Sequence, residues 1–398
     1  MDLRALQDPS RAPQTALYLD SLLAALDADP VPGESFSFLM ALDRDDPTEG
    51  LTNLDVIGRR LLPPTRALRS GALTVDPLLL RGASMGAGWR AERSGAAGSV
   101  YHATAGALPI ASGIPVVAAL FDLAPWTLAD AYQRGTAARF GQRIRARLLR
   151  DAAAVIVTAN ATGLDARRVL RVRKDRLRLI PLAPRPAFRP AAAADAGPEQ
   201  ERLGLRGRYA VWAGRHDARQ DLPTLFAALA ALSTEAPPEG VPAAEWPPRV
   251  CIVSATPEDR AAFSREAAAA GVADLLAYEQ GLPVDRLAAL VAGARALVQP
   301  ARTEGTGLAA LEAIATGVPV IASAVGALPE VVGRAGILVE PGEPARLAAA
   351  LRAAWGDRVH GVIAAAAAER AGTMRTWADV ARDTRAAWAA AARVAPLL

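Results

Sequence analysis

Lysine is nearly absent from this 398-residue chain: Lys174 is the only one, and arginine carries the rest of a formal net charge of +4. A missing lysine is therefore unremarkable here wherever an arginine replaces it. Cysteine is just as scarce. Cys251 stands alone in an apolar run, so no internal disulfide can form, and a reducing cytoplasm is the expected setting. The three histidines (His102, His216, His360) and the single cysteine have no metal-ligand spacing, and no metal or cofactor is expected. Aromatic residues make up 5% of the chain and do not interleave with its basic runs, which argues against nucleic-acid binding. No apolar run approaches the roughly eighteen residues that a membrane span needs. The N-terminus lacks a basic start followed by an apolar core.

What is present is ample core. Hydrophobic residues make up 52% and charged residues 22%, and the length suits two ordinary domains. Alanine runs at Ala191–Ala194 and Ala364–Ala368 read as helix-friendly filler or linker. Apolar strand-like runs alternate with helical periodicity, which implies parallel, doubly wound sheets. The pattern predicts a helix within residues 1–30 and strands at Ser35–Leu42, Ser99–Thr104 and Ile114–Leu123. Thr52–Ala96 reads as helix fragments and loops, and the five prolines of Pro181–Pro198 read as an interdomain hinge.

The most informative stretch follows the apolar run Ala296-Leu297-Val298. It reads Gln299-Pro300-Ala301-Arg302-Thr303-Glu304-Gly305-Thr306-Gly307-Leu308 and continues as a helix to Gly317. A strand, a glycine loop and a helix start make an anion site from backbone N–H groups. Glu304 in the loop and Glu312 on the helix add two carboxylates, which suits a ligand carrying phosphate and hydroxyl groups. For an arbitrary glutamate pair, a solvent-facing structural pair is the commoner outcome.

Glu304, Gly305, Gly307, Leu308, Glu312, Gly317, Val318 and Pro319 together resemble the Glu-x7-Glu signature of the retaining GT-B glycosyltransferases called group 1, or family 4. The resemblance implies two Rossmann-like domains facing a cleft: residues 1–184 on the acceptor side, 185–372 for the nucleotide sugar, and a helix at 373–398 returning to the first. It implies that Glu304 contacts donor-sugar hydroxyls, that Glu312 holds the ribose, and that the amides of Gly305, Thr306, Gly307 and Leu308 face sugar and diphosphate. Gly214 and Arg215 match the family's Gly-Arg diphosphate grip, and Leu282 lies in the connection that packs on the nucleobase. Catalysis would rest on Arg215 and Glu304, without metal, the diphosphate being stabilised by Arg215 and the helix N-terminus. On the acceptor side the resemblance points to His102 and Asp122.

Three positions depart from the family pattern. The first loop, Pro9–Thr15, contains no glycine. Phe121 stands where a histidine precedes the aspartate, and a phenyl ring donates no hydrogen bond. Gln220 stands where a lysine grips the donor diphosphate, and that is a true loss of charge even in an arginine-biased chain. Arg219 lies one residue earlier, but adjacent side chains point in different directions. Basic residues crowd Arg134–Arg178 and read either as a solvated helix face or as a patch for an anionic membrane or lipid-diphosphate acceptor. The expected activity is sugar transfer from a nucleotide-diphosphate donor to a glycan or lipid-linked acceptor, with retention, in cell-envelope polysaccharide or glycolipid synthesis. The alternative is a catalytically impaired relative that binds nucleotide sugar or regulates a partner. A sugar epimerase or phosphorylase on the same fold is more distant.

Overall fold

The computed structural model describes residues 1–393 apart from 11, 63–79, 82–97, 105–107, 111, 206 and 255. The chain divides into two compact units, Met1–Leu182 with Thr376–Leu398, and Ala183–Arg375.

Among the described residues, the first unit holds two parallel sheets. One pairs β1 (Ser35–Ala41) with β2 (Asp55–Leu62); the other runs β3 (Tyr101–Ala103), β4 (Val116–Ala119), β5 (Ala154–Val157) and β6 (Leu177–Leu179) in that order. The expected helix runs over Pro13–Ala28, with proline at its first turn, where a missing N–H costs nothing. The start of the chain makes only a single bridge, Asp2 to Leu39, before a short helix at Arg4–Gln7. Asp2 Oδ1 accepts from the Arg4 amide at 3.1 Å and from its Nε at 3.0 Å, which turns the backbone out of a strand. The stretch after Thr52, read as helix fragments and loops, instead contains β2; most of the remainder to Ala96 lies outside the described residues.

The helix Trp377–Ala392 packs on this first unit. Thr376 and Asp379 form a capping box at its start, and these hydrogen bonds hold the Asp379 carboxyl down at about 2. Arg385 meets Glu34 at 2.9 Å, and the Trp388 indole N–H donates to Nδ1 of His102 at 3.1 Å.

In the second unit the six-stranded parallel sheet has the order β12-β11-β10-β7-β8-β9, formed by β7 (Tyr209–Gly214), β8 (Arg249–Ser254), β9 (Leu276–Gln280), β10 (Ala296–Gln299), β11 (Val320–Ser323) and β12 (Gly336–Val339). Apolar layers cover both faces: Val211, Cys251, Leu297 and Val320 point to one side, and Trp212, Val250, Ile252 and Val298 to the other. Cys251 is buried, and burial pushes its thiol up to about 12, so it is an inert core residue. The order of strands reverses between β7 and β10. Ligands of open α/β sheets gather at such a switch point, outside the carboxyl ends of the strands. The chain passes from the first unit to this one at Leu182/Ala183, inside the proline-rich stretch, and beyond that point Phe188, Ala192 and Ala196 are buried in this unit, with Ala196–Arg202 a helix.

Candidate active site

Two loops leave the carboxyl ends of the central strands β7 and β10 side by side. The amide of Arg302 donates to the carbonyl of Arg219 at 2.7 Å, joining them. Gly214 closes β7 and Arg215 and Gln220 lie on the loop after it, while Glu304–Gly307 lie on the other loop just before the helix start at Leu308, so the switch point gathers most of the expected donor residues.

Glu304 is buried at 3% exposure, and its surroundings explain how a carboxylate can lie there. Oε1 accepts from the Thr306 amide (3.1 Å), the Thr306 hydroxyl (3.1 Å) and the Gly307 amide (3.0 Å), while Oε2 accepts from Gln299 Nε2 (3.1 Å). The carboxylate thus acts as an internal anion at the start of the helix Leu308–Ala315. This differs from the expectation that the loop amides face a ligand: those of Thr306 and Gly307 are taken by Glu304, and that of Leu308 reaches the Thr306 hydroxyl at 3.4 Å. Gly307 needs to be glycine for its φ of +65° and because a Cβ would come within 3.0 Å of Val331. Gly326 is stricter. At φ +53°, its Cβ would fall 1.8 Å from the Glu304 carbonyl oxygen, which accepts from the Ala327 amide at 2.9 Å.

Glu312 sits on that helix at 5% exposure. Its two oxygens accept from Arg185 Nε at 2.6 Å and Nη2 at 2.9 Å, and the Arg185 guanidinium lies 4.8 Å over the Phe188 ring. Sequence reasoning missed Arg185, since its partner is 127 positions away.

Arg215 projects just beyond β7. Its Nε approaches Asp259 Oδ2 at 3.4 Å, and Oδ1 of the same carboxylate accepts from the His216 amide at 3.1 Å. Asp259 is fixed in turn at the start of the helix Pro257–Ala269, where its amide donates to the Thr256 hydroxyl at 3.1 Å. Gln220 is buried at 8% exposure; its Cδ would lie 3.7 Å from a Cβ on Gly214, beside the Trp212 ring. Arg219 does not take its place, for its side chain is mostly buried with Nε 3.7 Å from Asp217. Leu282 is half-buried against the core, just after Gly281 at φ +64°.

The two residues expected on the acceptor side separate. His102 is 1% exposed inside an aromatic layer. An indole can only donate, so Nδ1 accepts from Trp388 and the ring proton resides on Nε2, 3.3 Å from the Tyr18 hydroxyl. Burial lowers its pKa to about 3. Both nitrogens are committed to the interior, which gives His102 a packing role in place of the expected acceptor contact. Phe121 shares this layer, 4.6 Å from the Tyr18 ring. Asp122 follows β4 and accepts from the Ala124 amide at 2.8 Å.

Among the described residues, no group of histidine, cysteine or carboxylate side chains is placed to hold a metal, and no helix is long and apolar enough to cross a membrane.

The fold is that of the GT-B glycosyltransferases. WaaG, a glycosyltransferase involved in lipopolysaccharide biosynthesis, aligns over 94% of this chain and 95% of its own with a TM-score of 0.69 at 16% identity. Anabaena Alr3699/HepE, solved in complex with UDP-glucose, aligns over 94% and 95% with a TM-score of 0.66, also at 16% identity. Residues 207–357, which hold every expected donor residue, match the family described as glycosyl transferases group 1. A D-inositol 3-phosphate glycosyltransferase of Acidothermus cellulolyticus is 32% identical over 253 residues, 60% of this chain and 54% of that one. The chain spans about half or less of the length of the curated relatives it matches.

Proposed function

We propose that the protein is a hexosyltransferase-type glycosyltransferase. It moves a sugar from a nucleotide-diphosphate donor to a glycan or lipid-linked acceptor, with retention, in cell-envelope polysaccharide or glycolipid synthesis. The observation that carries this reading is the convergence of Arg215, Glu304 and Glu312 at the switch point of the six-stranded sheet, within residues that match the group 1 family. In the proposed reaction the bond from the sugar to the diphosphate breaks and the acceptor oxygen bonds the same face, losing its proton. Arg215 balances the charge that grows on the leaving diphosphate, which takes up that proton. No cofactor or metal is assigned.

The setting is proposed to be the cytoplasm, with peripheral contact at the inner membrane face. Arg139, Arg143, Arg147, Arg167, Arg168 and Arg171 are exposed, together with the apolar Phe140, Leu164 and Val169. Basic side chains around exposed apolar ones suit an anionic lipid surface.

A second reading has its own observation. Every charged group of the donor site is paired within the protein, Arg215 with Asp259, Glu312 with Arg185 and Glu304 with the loop amides, and Gln220 adds no charge. On that reading the protein is a catalytically impaired relative that binds nucleotide sugar or regulates a partner. Thermal-shift screening against common nucleotide sugars, followed by mass-spectrometric transfer assays, separates the two. Turnover that Glu304→Ala abolishes in a folded protein establishes the enzyme. A nucleotide-dependent shift with no hydrolysis or transfer establishes the binding protein.

A further inference from the structure

Strand β10 is apolar until its last residue. Ala296, Leu297 and Val298 are buried in the cores on the two sides of the sheet, and Gln299 is buried after them at 6% exposure, in register with Ala322 of β11. The chain beyond it is held as firmly. The Ala301 amide donates to the Ser323 hydroxyl at 3.0 Å, and the Arg302 amide to the Arg219 carbonyl at 2.7 Å. A buried primary amide is normally met at both ends, because leaving either unmade costs more than a made hydrogen bond contributes. Gln299 is met at one. Its Nε2 donates to Glu304 Oε2 at 3.1 Å, while its Oε1 is buried without a partner.

The direction of this amide is forced. A carboxylate only accepts, so the NH2 end must face Glu304, and turning the amide over would set two acceptors against each other. Keeping the donor on Glu304 therefore leaves the acceptor unmet. A methionine or leucine would fill the end of the strand without either demand. What Gln299 does that an apolar side chain could not is hold that carboxylate. Glu304 Oε1 is fixed by the Thr306 amide and hydroxyl and by the Gly307 amide. The bond to Oε2 then locks rotation of the carboxylate about its last carbon–carbon bond, and does so from a rigid strand rather than from the loop.

We propose that Gln299 is a positioning residue: it presets the plane of the Glu304 carboxylate, so that a hydroxyl on the donor's sugar meets an acceptor already aligned. Pre-alignment removes an ordering cost that the sugar would otherwise bear on binding. The effect belongs to the sugar end of the donor, and a nucleoside diphosphate without the sugar gains nothing from it. This rests on the glycosyltransferase reading of Glu304.

The test uses the full chain. Calorimetric titration compares UDP-glucose, GDP-mannose and ADP-glucose, each against its own nucleoside diphosphate, with melting temperature and sugar transfer measured alongside. For the donor that wild type binds, Gln299→Met should weaken the nucleotide sugar by about 10-fold or more, the loss of one hydrogen bond to a charged group, and leave the diphosphate unchanged. Its melting temperature should stay near that of wild type, because the lost bond to Glu304 is offset by removal of the unmet Oε1. Gln299→His, whose ring N–H can take the place of the amide donor, should recover part of the loss. Should Gln299→Met not fold, Gln299→Leu carries the same comparison. A packing role alone would lower the melting temperature and keep the wild-type ratio of the two ligands. The proposal is overturned by that result, or by variants that weaken sugar and diphosphate equally. Wild type that binds no nucleotide sugar removes the glycosyltransferase reading and this proposal together. Absent transfer, with sugar binding still dependent on Gln299, removes the enzyme and leaves Gln299 its role.

Discussion

The Arg185 guanidinium grips both carboxylate oxygens of Glu312, at 2.6 and 2.9 Å, where only 7% of the Glu312 side chain reaches solvent. Removing one partner leaves the other ionised and enclosed. Arg185→Ala should therefore cost about 3 kcal/mol in denaturant unfolding, the lower end for a broken buried pair because Arg185 is partly open. The double variant Arg185→Ala, Glu312→Ala should cost less than the sum of the singles, with a coupling of about 1–3 kcal/mol. Strict additivity would mean that the pair does not act as a unit.

Glu304 combines a structural and a proposed chemical role, and amide replacement separates them. In Glu304→Gln the oxygen facing Thr306 and Gly307 can remain. The new amide nitrogen can be met by Gln299, whose own Oε1 is buried without a partner and needs only a flip. We expect a melting temperature close to wild type and sugar transfer reduced by about 100-fold or more. Glu304→Ala strips three loop donors of their acceptor and should cost about 3 kcal/mol as well as activity.

Gln220 tests the missing charge. Gln220→Lys puts an ammonium into a pocket of 8% exposure beside Gly214 and Trp212, so the ligand-free protein should melt lower than wild type. A nucleoside diphosphate should return that loss, giving a larger ligand-induced shift in the variant than in wild type. Equal shifts would separate position 220 from the diphosphate.

His102 predicts a pH dependence of stability. Its folded pKa, about 3, is below the ordinary 6.5, so between these values the unfolded chain binds the extra proton. Its contribution is complete above pH 6.5 and is lost as pH falls toward 3, at up to about 1.4 kcal/mol per pH unit. Unfolding free energies measured from pH 7 to 4 should fall less steeply in His102→Gln than in wild type.

Local signals made much of this legible. The apolar runs of β7, β10 and β11 are buried on both faces and read as strands without ambiguity. The helix after Glu304 declares itself through Gly307 and Gly317, both at positive φ. What stayed hidden depends on distant partners. Among the described residues β2 pairs only with β1; it leaves Ile57 and Leu61 exposed and carries Gly58, so neither alternation nor a continuous apolar run marks it. Arg185 lies in a proline-rich stretch that resembles a linker. The sequence singles out Arg215, Glu304 and Glu312 but not their pairing: nothing in Arg215 points to Asp259, because an ion pair is a property of packing.

The aromatic layer of the first unit has a consequence for synthesis. His102, Tyr18 and Phe36 are buried with Trp388 and Trp377, which the ribosome adds only after the whole of Ala183–Arg375. At about 5–20 residues per second, the nascent first unit waits roughly 10–40 s with that layer open. The half of the chain that begins first is thus the half that finishes last. A stop codon before Trp377 would leave the later-made unit able to complete its sheet and the earlier one without its cover.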